Sequence, residues 1–302
     1  MTAPQTQTQS FLIRRFAEVG LEPNTKHGQN FLIDLNLARM LVDAAQLEAQ
    51  DVVLEVGTGT GSLTSMVAPL VAAVVTIEID ARLHQLASEE LIDFENVRLL
   101  CQDALRNKNN FDPRLLAALR DELAAEAGRR LKLVANLPYN IATPVISNLL
   151  AGELVPDSMT VTIQKELGDR IMARPSTKDY SALSVWMQAQ CAIELVRVMP
   201  PTVFWPRPKV NSAILHIVVD RQRRDRIPDL AFFHEFVRAM FFHRRKFLRS
   251  ELASAFKGQL TKTDADEIMR SLDMGSTTRA EELNVDAMLR LCETVRARVG
   301  KH

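Results

Sequence analysis

At 302 residues, with 47% apolar and 25% charged residues, the chain has the make-up of a globular protein of one large or two smaller domains. Its 37 Lys/Arg balance 37 Asp/Glu, which excludes a global basic field as the means of meeting nucleic acid. Three widely spaced cysteines, six histidines without ligand spacing and the lack of any apolar run of ~18 residues exclude a disulfide framework, a protein-bound metal and a spanning helix.

Residues 1–9 are polar, lack the apolar core of a signal peptide and are expected to be without structure. With reduced cysteines, of which Cys101 and Cys191 read as small core residues, this points to a cytoplasmic setting. Ser10 to Val19 reads as a short amphipathic helix. The stretch 26–32, KHGQNFL, follows as a loop with an apolar end. Asp34 is placed to cap a helix running to about Leu47, with Leu37, Met40, Leu41 and Ala44 on one face.

Asp51–Val56 is an apolar strand. The glycine loop Gly57-Thr58-Gly59-Thr60-Gly61 and a helix to about Leu70 follow it. Strand, glycine loop and helix open a nucleotide-binding unit, but Ser62 departs from the dinucleotide pattern and favours a ligand without a pyrophosphate. Val74 to Asp80 is a second strand. Its Glu78 lies about 20 residues beyond the glycines, where an acid takes ribose hydroxyls. The strand Val97–Cys101 ends at Gln102-Asp103, and Asp103 is placed to accept from an adenine amino group. Arg106 to Arg130 is polar, then helical, with Leu115, Leu116, Leu119, Leu123 and Ala127 on one face.

The stretch Leu133 to Asn140 then runs from a buried strand into Asn136-Leu137-Pro138-Tyr139. Ligands of open α/β sheets bind outside the carboxyl ends of the strands. There Asn136 offers an amide oxygen, Leu137 a main-chain carbonyl and Tyr139 a flat face, a set suited to a planar ring with an exocyclic NH2. A helix from Ile141 to Leu150 follows, with Thr143-Pro144 as cap and first turn. Next come a strand Met159–Ile163, a helix with Lys165, Glu166 and Arg170, a loop Ser176–Tyr180, a helix Ser181–Cys191 and a strand Ile193–Val198. The proline-stiffened loop Phe204-Trp205-Pro206-Arg207-Pro208-Lys209-Val210 precedes the last strand, Ala213–Val219. Alternating strands and helices predict an α/β, doubly wound, mostly parallel sheet. Arg221 to Arg226 reads as a linker. Helices are expected over Leu230–Phe241, Arg245–Phe256, Thr263–Ser271 and Val285–Val299. Residues 201–260 hold twelve Lys/Arg against five Asp/Glu, so one face is expected to meet an anion.

Jointly, KHGQNFL, LEVGTGTGSLT, TIEID, QDAL, NLPYN, IQKELGDRI, FWPRPKVNSA and HRRKFLRS resemble the small-subunit rRNA adenine N6,N6-dimethyltransferases. The resemblance covers the chain from about Lys26 to its end. It implies a Rossmann-like methyltransferase domain over 25–222, a small helical RNA-binding domain over 223–302 and a partly disordered extension over 1–24. It implies S-adenosyl-L-methionine as methyl donor. Asn30 and Leu32 would border the methionine part, Gly57 the cofactor backbone, Glu78 the ribose and Asp103 the adenine, with Asn136 between cofactor and target base. Asn136, Leu137 and Tyr139 form the expected catalytic set, and Tyr139 and Phe204 would stack on the two faces of the base. Arg207, Lys209, His243, Arg244, Arg245, Lys246 and Arg249 would meet phosphates. The implied substrate is a pair of adjacent adenines in a hairpin loop near the 3′ end of small-subunit rRNA, within a pre-ribosomal particle, and a role in small-subunit biogenesis. A monomer without metal or membrane is expected.

Two departures stand out. Thr58 stands where the family usually has proline, and Arg106 to Arg130 reads as an insertion, a surface elaboration by default. Methylation of large-subunit rRNA and a non-catalytic assembly role stay open. Methylation of glutamine amides, usually by Asn-Pro-Pro-Tyr, is disfavoured by Leu137.

Overall fold

The computed structural model describes residues 9–23, 28–243 and 245–300. Of the segment expected to lack structure, residues 1–8 lie outside the described ones, and Gln9 opens a helix, Gln9–Glu18. Among the described residues the core is a seven-stranded sheet. Its strands are β1 (Asp51–Val56), β2 (Ala73–Glu78), β3 (Val97–Cys101), β4 (Arg130–Asn136), β5 (Ser158–Gln164), β6 (Cys191–Met199) and β7 (Ser212–Val219). They lie in the order β3-β2-β1-β4-β5-β7-β6. The first five pair in parallel, and β7 runs antiparallel to β5. The sheet is α/β and mostly parallel, as the alternation of patterns predicts.

Position in the sheet explains burial. Central β1 and β2 are buried at every residue, which is why both read as continuous apolar runs. Edge strand β3 is only partly covered. Cys101, expected in the core, is therefore exposed, whereas Cys191 and Cys292 are buried. On one face Val53, Val74 and Val134 join Leu41, Val42 and Val67 in a buried cluster.

The Arg106–Arg130 stretch is not a surface elaboration. Parallel strands need a crossover, and the helix Pro113–Ala124 is the crossover between β3 and β4. Asp112 caps it, Pro113 sits in its first turn, and it packs against β1 and β2 with Leu115 and Leu119 fully buried. Only the short antiparallel pair Leu105–Asn107 with Asn110–Phe111 stands before it.

Asp34 caps Leu35–Ala44 by accepting from the N–H groups of Asn36 and Leu37. That helix stops short of Leu47 because Gln46 takes a φ of 49°. The helix Ala142–Ala151 is capped at Ile141 without a side-chain bond, so Thr143 is not its cap. Pro144 is its third residue, where an N–H would lack an intrahelical partner anyway. Phe31–Leu32 and Phe204–Trp205, both expected as loop, pair as short antiparallel strands.

The chain divides into two compact units, residues 1–168 with 193–218 and residues 169–192 with 219–302. The second unit takes in 169–192, which lies within the expected sheet domain. The reason is apolar packing: the helix Ala182–Gln188 buries Val185, Trp186 and Met187, and the Trp186 ring lies 6.2 Å from Phe233. The remaining helices of this unit are Arg221–Asp225, Leu230–Met240, Leu248–Ala255, Lys262–Ser271 and Val285–Val299. Arg221–Asp225 is a short helix capped by Asp220, not a linker.

Two buried polar features stabilise the sheet. At the amino ends of β1 and β4, Lys132 Nζ lies 2.8 Å from Asp51 Oδ2, and both residues are buried. Further along β1, buried Glu55 accepts bonds from the Thr64 and Thr76 hydroxyls. Burial pushes its carboxyl up to about 8, against an ordinary value of 4.5.

Lys132→Met should lower the unfolding free energy by about 3–5 kcal/mol, because it strands a buried carboxylate. A loss near zero in urea titrations would show that Asp51 is satisfied without it. For Glu55 the folded state holds a proton that the unfolded chain releases, so stability falls as pH rises from 4.5 to about 8. The slope is roughly 1.4 kcal/mol per pH unit. Glu55→Gln keeps the acceptor oxygen and removes the titration. Its stability should therefore gain on the wild type as pH rises from 5 to 8, and parallel curves would refute the assignment.

Candidate active site

The carboxyl ends of β1 to β4 open into one cavity of the first unit. Asn30, Leu32, Gly57, Glu78, Asp103 and Asn136 all line it. Residues up to 106 positions apart thus meet because parallel strands bring their ends to one edge of the sheet.

The glycine loop follows β1. Gly57 takes a φ of 87°, and a Cβ there would come within 3.1 Å of the Pro138 ring. Glycine is needed here on both counts. The amides of Gly57 and Thr58 donate to Ile77 O at 2.9 and 3.3 Å. Thr76 gives its hydroxyl proton to Glu55 at 2.9 Å, so in the 2.6 Å Thr58–Thr76 contact the Thr58 hydroxyl is the donor. The loop is held by this bond where a proline ring would stiffen it.

Glu78 ends β2. Its Oε2 accepts from the Gly59 N–H at 2.9 Å and its Oε1 from the Asp80 N–H at 3.0 Å. Burial raises its carboxyl above the ordinary range, partly offset by these bonds. Asp80 caps the helix Ala81–Glu90. Asp103 is exposed at the cavity edge, with Oδ1 holding the Leu105 N–H at 2.9 Å.

Asn136 ends β4. Its Nδ2 donates to Asn30 O at 2.8 Å. A carbonyl only accepts, so this bond decides which way the amide faces. The Asn136 Oδ1 is left buried without a hydrogen-bond partner among the described residues. A buried acceptor without a donor costs about 1–3 kcal/mol, so the site is built for a donor still to come. The Leu137 N–H donates to Thr162 O at 3.1 Å, which ties the loop to β5. The Tyr139 hydroxyl lies 2.5 Å from the Ser212 Oγ on β7. Its phenol is raised above its usual value, chiefly by burial, and so stays protonated at neutral pH. Gly28, with a φ of 67°, lets the chain pass over this loop, since a Cβ would meet the Asn140 side chain at 2.9 Å.

Several expected roles are redrawn. Phe204 is 2% exposed and belongs to the buried cluster with Leu41, Met199 and Ile214, so it has no free face for a base. Its neighbour Trp205 instead joins Phe16 and Phe31 in an aromatic cluster at centroid distances of 5.2 and 6.3 Å. Arg249 is held in a two-bond fork by Asp266, at 2.5 and 2.7 Å, so its guanidinium staples two helices. Arg207, Lys209, His243, Arg245 and Lys246 are exposed. Arg244, Lys26 and His27 lie outside the described residues. Glu55, Thr76 and Ser212 take part without having been singled out. An acid inside the apolar run of β1 was the signal for the first. Nothing local marks the other two, which act through partners across the sheet.

The profile of the ribosomal RNA adenine dimethylase family matches residues 20–296. The chain is 39% identical over 278 residues to ribosomal RNA small subunit methyltransferase A of Lactiplantibacillus plantarum, covering 91% of each. It is 37% identical to the protein of that name from Listeria innocua, covering 87% of this chain and 88% of that one. In fold it is similar to a dimethyladenosine transferase from Plasmodium falciparum, with a TM-score of 0.68, 23% identity and coverage of 85% and 94%. It is similar also to the 23S rRNA methyltransferase ErmE, with a TM-score of 0.60, 21% identity and coverage of 88% and 99%. With the cavity at the strand tips and a family profile spanning nearly the whole chain, this protein belongs to the ribosomal RNA adenine dimethylase family.

Proposed function

We propose that this chain dimethylates N6 of two adjacent adenosines in a hairpin loop near the 3′ end of small-subunit rRNA, in the cytoplasm and within a pre-ribosomal particle, and contributes to small-subunit assembly. As a member of its family it is an S-adenosylmethionine-dependent rRNA adenine dimethyltransferase. The name of its relatives supports the small-subunit substrate. Among the described residues no helix is long and apolar enough to cross a membrane, and no cluster of His, Cys, Asp and Glu could hold a metal.

The cavity fits the cofactor. Gly57 leaves the backbone bare, Glu78 puts a buried carboxylate where ribose hydroxyls would bind, and Asp103 keeps one oxygen free of the Leu105 bond. Bound there, the cofactor supplies an electrophilic methyl group on a sulfonium.

The observation that carries the reading is the free Oδ1 of Asn136. An adenine N6 lone pair is delocalised into its ring and is a poor nucleophile. N6–H bonds to Asn136 Oδ1 and to the Leu137 carbonyl favour a pyramidal nitrogen and stabilise the positive charge that develops on attack. Because Asn30 holds the other end of the amide, this acceptor is oriented before the base arrives. No strong base is needed, since the methylated nitrogen is acidic enough to lose its proton to water. Tyr139 therefore offers a face and not a proton acceptor. Its tethered ring can return about 1–3 kcal/mol of the few that extruding the base costs. Exposed Arg207, Lys209, Arg245 and Lys246 supply phosphate contacts, which position RNA without reading it.

Under-methylated small subunits incubated with labelled donor should be modified at two neighbouring adenosines. Label in large-subunit RNA, or none, would overturn the assignment. Asn136→Ala should lower the methylation rate by at least about 10²–10³-fold while donor affinity changes much less; near-normal turnover would refute the role of Asn136. Charge reversal at Arg245 and Lys246 should flatten the plot of log affinity against log salt by about 0.7–0.9 for each phosphate that is no longer neutralised, and an unchanged slope would leave these residues as ordinary surface.

A further inference from the structure

The helical unit contains a cavity that the methyl-transfer reaction does not use. It is an open groove between the helices Leu230–Met240 and Leu248–Ala255, with a volume of about 450 Å³. Glu251 lines it. This residue is 3% exposed, and its Oε1 is buried without a hydrogen-bond partner among the described residues. A buried carboxylate oxygen without a donor is costly and points to a ligand that brings one. At the mouth stands Phe242, 79% exposed and edge-on to His243 at 4.7 Å. The rim also carries Arg238, Ser254 and one further acid, Glu235.

We propose that this cavity binds an unpaired guanine of the RNA substrate, stacked on Phe242 with its Watson–Crick edge on Glu251. The argument is one of hydrogen-bond polarity. An ionised carboxylate accepts and cannot donate. Guanine alone among the four bases presents two adjacent donors on that edge, N1–H and N2–H. Adenine and cytosine set a lone pair beside their amino group, and uracil flanks its single N–H with two carbonyls. An exposed aromatic ring and a buried polar group lining one groove are the means by which proteins read splayed-out bases in RNA loops. Arg238 and His243 at the rim, with exposed Arg245 and Lys246 next in sequence, favour a polyanion over an arginine side chain of a protein partner.

The proposal rests on RNA being the substrate, so two measurements are run on the full chain. The first is methyl transfer to under-methylated small subunits, which tests that reading alone. The second is fluorescence anisotropy with the pentanucleotides UUGUU, UUAUU, UUCUU and UUUUU at fixed salt. UUGUU should bind at least fivefold tighter than UUCUU and UUUUU. Glu251→Gln should abolish that preference while donor binding and methyl transfer at saturating RNA persist. Should that variant fail to fold, Phe242→Ala, at an exposed position, should weaken UUGUU at least fivefold, and Ala255→Trp should block the cavity with the same result. Equal binding of UUGUU, UUCUU and UUUUU, or a guanine preference that survives these substitutions, overturns the proposal even where methylation is intact. Displacement of UUGUU by N-acetyl-arginine amide but not by guanosine monophosphate overturns it too, in favour of a protein ligand.

Discussion

The site depends on the orientation of one amide. The Asn30 carbonyl takes the nitrogen of Asn136, so the oxygen has to face the cavity. Two glycines near it make room for that bond. Gly28 lets the segment carrying Asn30 lie against the Pro138–Asn140 loop, and Gly57 lets the same loop close over the tip of β1. In the proposed reaction, preorganisation of this kind would spare the reorientation of a dipole at the moment charge develops.

The same strands carry a buried ion pair and the groups that line the cavity at opposite ends. Lys132 and Asp51 neutralise each other where β4 and β1 begin, and Asn136 and Gly57 stand where they finish. Next to the cavity end, Glu55, Thr76 and Thr58 form a buried chain of hydrogen bonds that reaches from the last residues of β1 to the glycine loop. A polar network in such surroundings is tolerated because each hydroxyl has its partner.

Much of this was legible in the residues. Continuous apolar runs announce β1, β2, β4 and β5, and the glycines with Glu78 and Asp103 mark one edge of the sheet. What stayed hidden depended on partners distant in sequence. The residues of Pro113–Ala124 spell a helix but not a crossover, because that role follows from β3 and β4 being separated by β2 and β1. Phe31–Leu32 and Phe204–Trp205 are too short to show an alternation, so their pairing left no local signal. Arg249 read as one of a row of cations, and only the fold brings Asp266 to it. Cys101 carries the apolar neighbours of a core residue, yet its strand lies at the margin of the sheet.

That margin makes the protein easy to instrument. Cys101 pairs in register with Glu78, which lines the cavity, and is exposed. The other two thiols are buried and pushed up to about 12, which suppresses the thiolate that reacts with electrophiles. A maleimide dye should therefore attach at a single point of the native chain, beside the cavity-lining carboxylate of Glu78, and give an optical reporter of site occupancy without any engineered cysteine.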